Sequence, residues 1–329
     1  MTADHAGTER TERIGLDLMV VGAAKSATSS LIDLVHRAPR TAANPSGAEI
    51  GYFVDDAEYA RGAAVARAKY LAPSAPDDLR VGKSAGLMYS RTALERLADD
   101  SPAVRAVALL RDPVARAYSA YHWAVRAGME TDSFPDAVER EFAGRDLDLP
   151  RPWLRRYLAG GEYSRHLDVV REVVGADQLD VLTMEDFSAD AVGCVNRLLA
   201  PFGRAVTSAA PEGVHSNRAS GVRSKRLARI MRNPALRAPL RRALPLRAQV
   251  ALQRRALRLN ERPMQAQPMD PATRARLVEH FAPWNARLEE QLGRELPWSR
   301  PAQGASNQDP ATQDSATRDS SGQGRPSAR

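Results

Sequence analysis

Leu16 to Leu31 read LDLMVVGAAKSATSSL: an apolar strand runs into a turn of small residues holding one lysine and a cluster of hydroxyls, and a helix follows. Such a crossing aims several backbone N–H groups and the positive end of a helix dipole at one spot, which makes it a cradle for phosphate or sulfate. A second segment, Val104 to Trp123, reads VRAVALLRDPVARAYSAYHW. There another buried strand ends in Arg111-Asp112-Pro113 and passes into a helix carrying Arg116 and Ser119. Two anion-seeking strand ends point to one ligand with two anionic groups.

Working outward, short strands are expected at Leu18–Gly22, Leu79–Lys83, Val104–Leu110 and Leu179–Thr183, with helical patterns between them, as at Thr92–Ala98. The strands lack two-residue alternation, so both of their faces are to be covered, as in a parallel sheet. The expected fold is α/β: a three-layer, P-loop-like parallel sheet flanked by helices, with a helical C-terminal part and ligands at the strand carboxyl ends. No internal repeat is evident.

The cradle differs from the nucleoside-triphosphate loop, which needs G-x-x-x-x-G-K-[ST] with glycine directly before lysine. Here Gly22 stands three positions before Lys25, Ala24 precedes the lysine, and no Asp-ended second strand of the Walker B kind follows. A P-loop nucleotide kinase is therefore disfavoured but stays as an alternative, as does a non-catalytic nucleotide- or polyanion-binding protein.

The run Gly22-Ala23-Ala24-Lys25-Ser26-Ala27-Thr28-Ser29-Ser30-Leu31 resembles the 5′-phosphosulfate loop of sulfotransferases that use 3′-phosphoadenosine 5′-phosphosulfate (PAPS). Arg111 to Tyr121, RDPVARAYSAY, resembles their 3′-phosphate motif, R-x-P-x-x-R-x-x-S-x-Y. Glu49-Ile50-Gly51-Tyr52-Phe53 is similar to the E-[IV]-x-F-F segment of the heparan-sulfate-sulfotransferase-like branch and its bacterial relatives, and Gly82-Lys83-Ser84-Ala85 to its E-K-[ST]-P segment. Gly161 to Leu167, Asp177 to Leu182 and Glu185-Asp186 resemble its G-x-Y-x-x-x-L, Q-[IL]-x-[VF]-[IL] and E-D-[LF] run, so the similarity spans about Leu16 to Trp298. Three departures stand out: Ala27 where glycine is usual, Ala85 for proline, and Gly82 where glutamate is common.

The resemblance implies PAPS as sulfuryl donor, with no metal. Lys25, with Ser26, Ala27, Thr28, Ser29 and Ser30, would hold the 5′-phosphosulfate, and Lys25 would meet the bridging oxygen as charge develops there. Arg111 and Ser119 would take the 3′-phosphate, an arginine fork and a hydroxyl converging from strand end and helix. Arg116, one turn before Ser119, either joins them or pairs with Asp112 as a structural ion pair. A hydroxyl acceptor needs a base; the resemblance implies Glu49 in that role, with Lys83 to orient it. His122 and His166 are rival bases read as structural, and His215 a control. Tyr118, Tyr121 and Trp123 read as packing aromatics rather than adenine stackers. The small, polar, basic run Gly213 to Ser224 suits a lid, and resembles a late loop in which Arg218 and Arg223 would reach the 3′-phosphate.

The chain of 329 residues is 43% hydrophobic, enough for a sizeable core, and its one cysteine, Cys194, leaves no intramolecular disulfide to form. MTADHAGTERTER has no apolar h-region and no stretch of 18 apolar residues occurs, so the expectation is a cytoplasmic protein. The formal net charge of +7 is uneven: Lys225 to Arg262 hold twelve Lys or Arg against Glu261, a local +11 that leaves −4 for the rest. These arginines alternate with leucines around Pro234, Pro239 and Pro245, the pattern of short amphipathic helices. Their bland reading is a solvated helical face. The sharper readings are a dock for an acidic or lipid-linked acceptor, peripheral membrane contact, or steering of the donor. Nucleic acid is not expected, because no recognised module accompanies the patch. Residues 1–14 read as a polar tail, 15–300 as the catalytic domain, and 301–329, nearly devoid of large apolar residues, as a disordered tail. The acceptor is a small-molecule, glycan or lipid-linked hydroxyl, or an amine.

Overall fold

The computed structural model describes residues 13–42, 44, 48–71, 75–145, 155–207, 220–222, 261–263 and 268–299. Arg218, Arg223, His215, most of the basic stretch and the tails 1–12 and 300–329 lie outside the described residues. Five parallel strands, β1 (Leu18–Gly22), β2 (Thr41–Ala42), β3 (Leu79–Lys83), β4 (Arg105–Leu110) and β5 (Leu179–Thr183), form a sheet of order β2-β3-β1-β4-β5. Of the four strands expected from the sequence, three match at both ends and β4 starts one residue later. Two-residue β2 has no apolar run to reveal it.

β1 runs between β3 and β4, with Val20 opposite both Lys83 and Val107. The carboxyl ends of the three central strands therefore share one edge, where the strand order reverses and α/β sheets place their ligands. Both sheet faces are buried. Leu18, Val20, Val81, Val107 and Leu109 pack against α1 (Thr28–Val35) and a later helix (Ala191–Leu199) through Leu31, Ile32, Val35, Val195 and Leu199. Met19, Val21, Ala106, Ala108 and Leu110 point the other way, toward a helix at Arg91–Asp100 (Leu94, Leu97) and one at Tyr163–Val174 (Leu167, Val170). This accounts for the missing alternation: each face of each strand has a helical layer to bury against.

Numbered in chain order, the helices are α1, α2 (Asp56–Tyr59), α3 (Ala63–Tyr70), α4 (Arg91–Asp100), α5 (Pro113–Arg126), α6 (Phe134–Phe142), α7 (Tyr163–Val174), α8 (Met184–Ala189), α9 (Ala191–Leu199) and α10 (Pro271–Leu292). α5 starts where Asp112 accepts from the Val114 amide at 2.9 Å and Pro113 takes the first helical position, where its missing N–H costs nothing. α5, α6 and α10 enclose a smaller apolar cluster built on Ala117, Ala120, Phe134, Val138, Leu277 and Phe281. β6 (Ser220–Val222) pairs antiparallel with β7 (Glu261–Pro263), so the basic stretch leaves and returns at one point, and β6 lies against α5.

One boundary moves. Ile14, placed in the N-terminal tail by the sequence reading, is fully buried, and its amide donates to Asp100 Oδ1 at 2.9 Å. A lone isoleucine after thirteen mostly polar residues has no periodicity to betray it. No described helix is long and apolar enough to cross a membrane.

Candidate active site

The turn after β1 is fastened at its base. The Ala23 amide donates to the Leu109 carbonyl on β4 at 2.9 Å, and the Ser26 amide returns to the Ala23 carbonyl at 3.2 Å. Lys25 (φ 75°) and Ala27 (φ 57°) both sit in the left-handed region, which explains the usual preference for glycine at position 27. Ala27 caps α1 without a side-chain bond, and the first helical amides, Thr28 and Ser29, have no hydrogen-bond partner among the described residues. Those amides and the positive helix end face whatever lies beyond the turn.

Three cations stand on three neighbouring strand ends: Lys25 after β1, Lys83 closing β3, and Arg111 after β4. Burial, then the charges of Arg126 and Arg111, lower the Lys25 ammonium to about 8, with Glu49 pulling the other way. Lys25, Arg111, Arg126 and Glu49 therefore share one electrostatic neighbourhood, although the chain separates them by up to 101 positions, the span from Lys25 to Arg126. Lys83 is buried, and its ammonium donates to Ser29 Oγ at 2.6 Å, tying β3 to the first turn of α1. Ser26 is fully buried beside the Tyr163 hydroxyl, on the protein side of the loop; that hydroxyl donates to the Arg111 carbonyl at 2.9 Å. Tyr163 thus ties its helix to the arginine strand end and lies against the lysine turn. Thr28 is buried, Ser30 half-buried and Ser29 exposed. Glu49 is exposed on a loop whose next residue, Ile50, donates its amide to the Lys83 carbonyl at 2.8 Å.

On α5, Ser119, Trp123 and Arg126 follow at i, i+4 and i+7 and share a face. The Lys25 ammonium lies 6.0 Å from the Trp123 ring centroid, so this face looks onto the cradle. Trp123, read from the sequence as a packing aromatic, thus borders the candidate site, and Arg126 joins it on that face; Arg126 was missed, though counting helical turns on from Ser119 reaches it. Tyr118 and Tyr121 do pack as expected, in an aromatic cluster with Phe134.

Arg116 does not fulfil either expectation. Its guanidinium is completely buried and donates to the carbonyls of Arg156 at 2.9 Å and Tyr157 at 2.8 Å, while Asp112 is occupied in capping α5. Its task is to hold the segment before α7 against α5. His166 Nε2 lies 2.7 Å from the Ala159 carbonyl, and burial pushes the ring down to about 4, so it is neutral and structural. His122 is held edge-on to Tyr118 with centroids 4.3 Å apart, its pKa lowered by burial.

Glu185, just after β5, adds a feature the sequence reading left unused. It shares the neighbourhood of Asp112 and Arg111, and burial raises the carboxyls of both Glu185 and Asp112. Arg111 therefore shares its surroundings with the Lys25 ammonium and with two carboxyls whose pKa values burial raises.

No protein-family model matches the sequence, and no curated protein matches it. Among solved structures, the chain is similar to a sulfotransferase from Alicyclobacillus acidocaldarius at 23% identity and a TM-score of 0.55, over 85% of this chain and 97% of that one. A sulfotransferase domain from the curacin biosynthetic pathway aligns at 13% identity and a TM-score of 0.37, over 87% of this chain and all of that domain, too loosely to argue from. The first covers nearly the whole of that chain, so the parallel sheet flanked by helices described above is the fold that this chain shares with that sulfotransferase.

Proposed function

We propose that the protein is a PAPS-dependent sulfotransferase that sulfates a hydroxyl, or an amine, of a small-molecule, glycan or lipid-linked acceptor. The observation that carries this reading is the convergence of Lys25, Arg111 and Arg126 with Glu49 at the α1 N-terminus, where the Thr28 and Ser29 amides have no acceptor among the described residues. A donor with an anionic group at each of two positions suits that charge pattern, and the carboxylate beside it suits an acceptor that must lose a proton. When bound, the donor supplies a sulfuryl group on a phosphosulfate linkage, whose in-line transfer spreads negative charge toward the leaving phosphate.

Each residue then has a task. The α1 amides, Lys25 and the Lys83–Ser29 pair hold the phosphosulfate end, Lys25 countering charge as it develops. Arg111 and Ser119 take the 3′-phosphate. Glu49 accepts the acceptor's proton. Arg218 and Arg223 flank β6 in sequence, and β6 lies against the helix that carries Ser119, which keeps both as candidates for the same phosphate.

Calorimetric titration with 3′-phosphoadenosine 5′-phosphate, with and without magnesium, tests the reading. Binding is expected without the metal and weakens by about tenfold or more in Arg111→Ala. Failure of the wild type to bind, or equal binding by the variant, overturns it, and strict dependence on magnesium turns the case toward a nucleotide kinase.

A further inference from the structure

Glu49 sits on a loop outside any strand or helix, and a carboxylate that must meet an acceptor proton has to be held in place by something more rigid than its own chain. Two bonds immediately follow it. The Ile50 amide is fixed to β3 through the Lys83 carbonyl, and the Gly51 amide donates to the Tyr70 hydroxyl at 3.1 Å. The Gly51 carbonyl in turn accepts from the Val54 and Asp55 amides, both at 3.0 Å, so this residue is tied on both its backbone groups.

Tyr70 closes α3, is 4% exposed and belongs to the main core. Its oxygen has no spare capacity: it donates to Glu58 Oε1 at 2.5 Å and accepts from Lys69 Nζ at 2.8 Å as well as from Gly51. Lys69 closes the trio with its own 2.5 Å bond to Glu58 Oε1. A hydroxyl saturated in this way cannot swing, so the amide it accepts from is fixed too. The side-chain space agrees. A Cβ on Gly51 would lie 2.7 Å from Glu58 Oε2 and 3.2 Å from the Tyr70 hydroxyl, so the trio reaches the backbone only because residue 51 is glycine. On the other flank, a Cβ on Gly82 would lie 2.4 Å from Ile50 Cδ1, so the absence of a side chain there gives Ile50 its seat. The departure of residue 82 from the resembled pattern thus has a local cause.

We propose that Tyr70 is a positioning residue for Glu49: held between Glu58 and Lys69, its hydroxyl fixes the Gly51 amide and with it the loop that carries the carboxylate. The proposal rests on the reading of Glu49 as the base. A fold-supporting tyrosine with no such role would affect all reactions of the site alike. A positioning residue affects only those that need the base.

The test compares wild type, Glu49→Gln, Tyr70→Phe and Glu58→Gln in two reactions of PAPS: hydrolysis by water, which needs proton removal, and transfer to 4-nitrophenol at a pH where that acceptor is already ionised. Tyr70→Phe is expected to slow hydrolysis about tenfold, with 3′-phosphoadenosine 5′-phosphate affinity and any 4-nitrophenolate transfer within about twofold of wild type, and to add nothing in a Glu49→Gln background. Glu58→Gln, on the outer side of the trio, should show the same pattern more weakly. Amide exchange of Gly51 in nitrogen-15-labelled Tyr70→Phe gives a readout independent of activity and should accelerate about tenfold or more. Unchanged Gly51 exchange, unchanged hydrolysis, or an equal fall in both reactions overturns the positioning role. If the wild type binds the nucleotide and Glu49→Gln hydrolyses PAPS normally, the base reading itself fails, an outcome separate from the others.

Discussion

Glu130, buried in the helical lobe, has Arg140 at 2.8 Å, Arg155 at 3.2 Å and the Tyr157 hydroxyl at 2.9 Å, and its carboxyl is held below the usual range: burial alone would raise it, but these partners outweigh the burial. Lys25, at the sheet edge, has two arginines among its electrostatic neighbours and one carboxylate, and its ammonium is pushed down to about 8, burial leading. The two regions differ in what their charges complete. Around Glu130 opposite charges meet and knit α6 to the segment before α7. Around Lys25 like charges are gathered where mutual repulsion costs stability, an arrangement that makes sense when an anion comes to complete it. The paired charge around Glu130 is architecture, and the like charge gathered around Lys25 marks the candidate site.

The largest effect should come from breaking the paired side. Glu130→Ala leaves buried Arg155 and the Tyr157 hydroxyl without their carboxylate, with Arg140 keeping only Asp132, and should cost about 3–5 kcal/mol in urea unfolding, as removal of one partner from a buried pair does. Nucleotide affinity of the remaining folded protein should not change. A loss of affinity at unchanged stability would mean the lobe's network belongs to the site after all.

Next in size is Arg111→Ala. Removing a charged fork that binds phosphate forfeits about 1.5–3 kcal/mol, so 3′-phosphoadenosine 5′-phosphate affinity should fall between about tenfold and 150-fold. Stability should change little, because Lys25 loses a like-charged neighbour while Asp112 and Glu185 lose an opposite one. A destabilised Arg111→Ala would erase the contrast with Glu130.

The pH dependence of the cradle is smaller and has a definite sign. The Lys25 pKa is lowered in the folded protein, so the ammonium carries its charge below about pH 8 and loses it as the pH rises through that value. Nucleotide affinity should therefore be full near pH 7 and fall about tenfold by about pH 9, with proton uptake on binding at the higher pH, seen by calorimetry in buffers of different ionisation enthalpy. Stability of the free protein moves the other way. Above about pH 8 the unfolded chain holds the proton that the folded one has shed, so stability rises until the pH approaches the ordinary lysine value of 10.5. Lys25→Met should flatten both profiles.

Much of this was readable in the sequence because it is written locally. β1 and β4 announce themselves as apolar runs, and Lys25, Arg111 and Ser119 sit in two strand-turn-helix segments whose chemistry is decided within about ten residues. What escaped is long-range. Arg126 and Trp123 matter only because α5 turns one face toward a loop about a hundred residues earlier, and Tyr70 only because α3 ends beside Gly51. The destination of Arg116, two backbone carbonyls forty positions on, has no side-chain signature at all. Two-residue β2 is held by its register with β3 rather than by any hydrophobic run of its own.

The smallest effect lies in the backbone of the cradle. In the helical lobe the left-handed positions are glycines, Gly128 and Gly144, whereas the cradle forces Lys25 and Ala27 into that conformation. A non-glycine residue there is strained by roughly 1–2 kcal/mol, and such strain collects where a loop must present its amides in one orientation. Ala27→Gly relieves the strain but loosens the unfolded chain by about 0.4–1 kcal/mol, so the net change in stability should stay within about 1 kcal/mol. The free loop, however, gains conformations that must be given up on binding. Nucleotide affinity should therefore fall by a factor of about two to five, and by more entropy than enthalpy in calorimetry. If Ala27→Gly binds more tightly instead, the alanine holds the amides away from their best geometry, and the strain in the cradle opposes binding rather than preparing it.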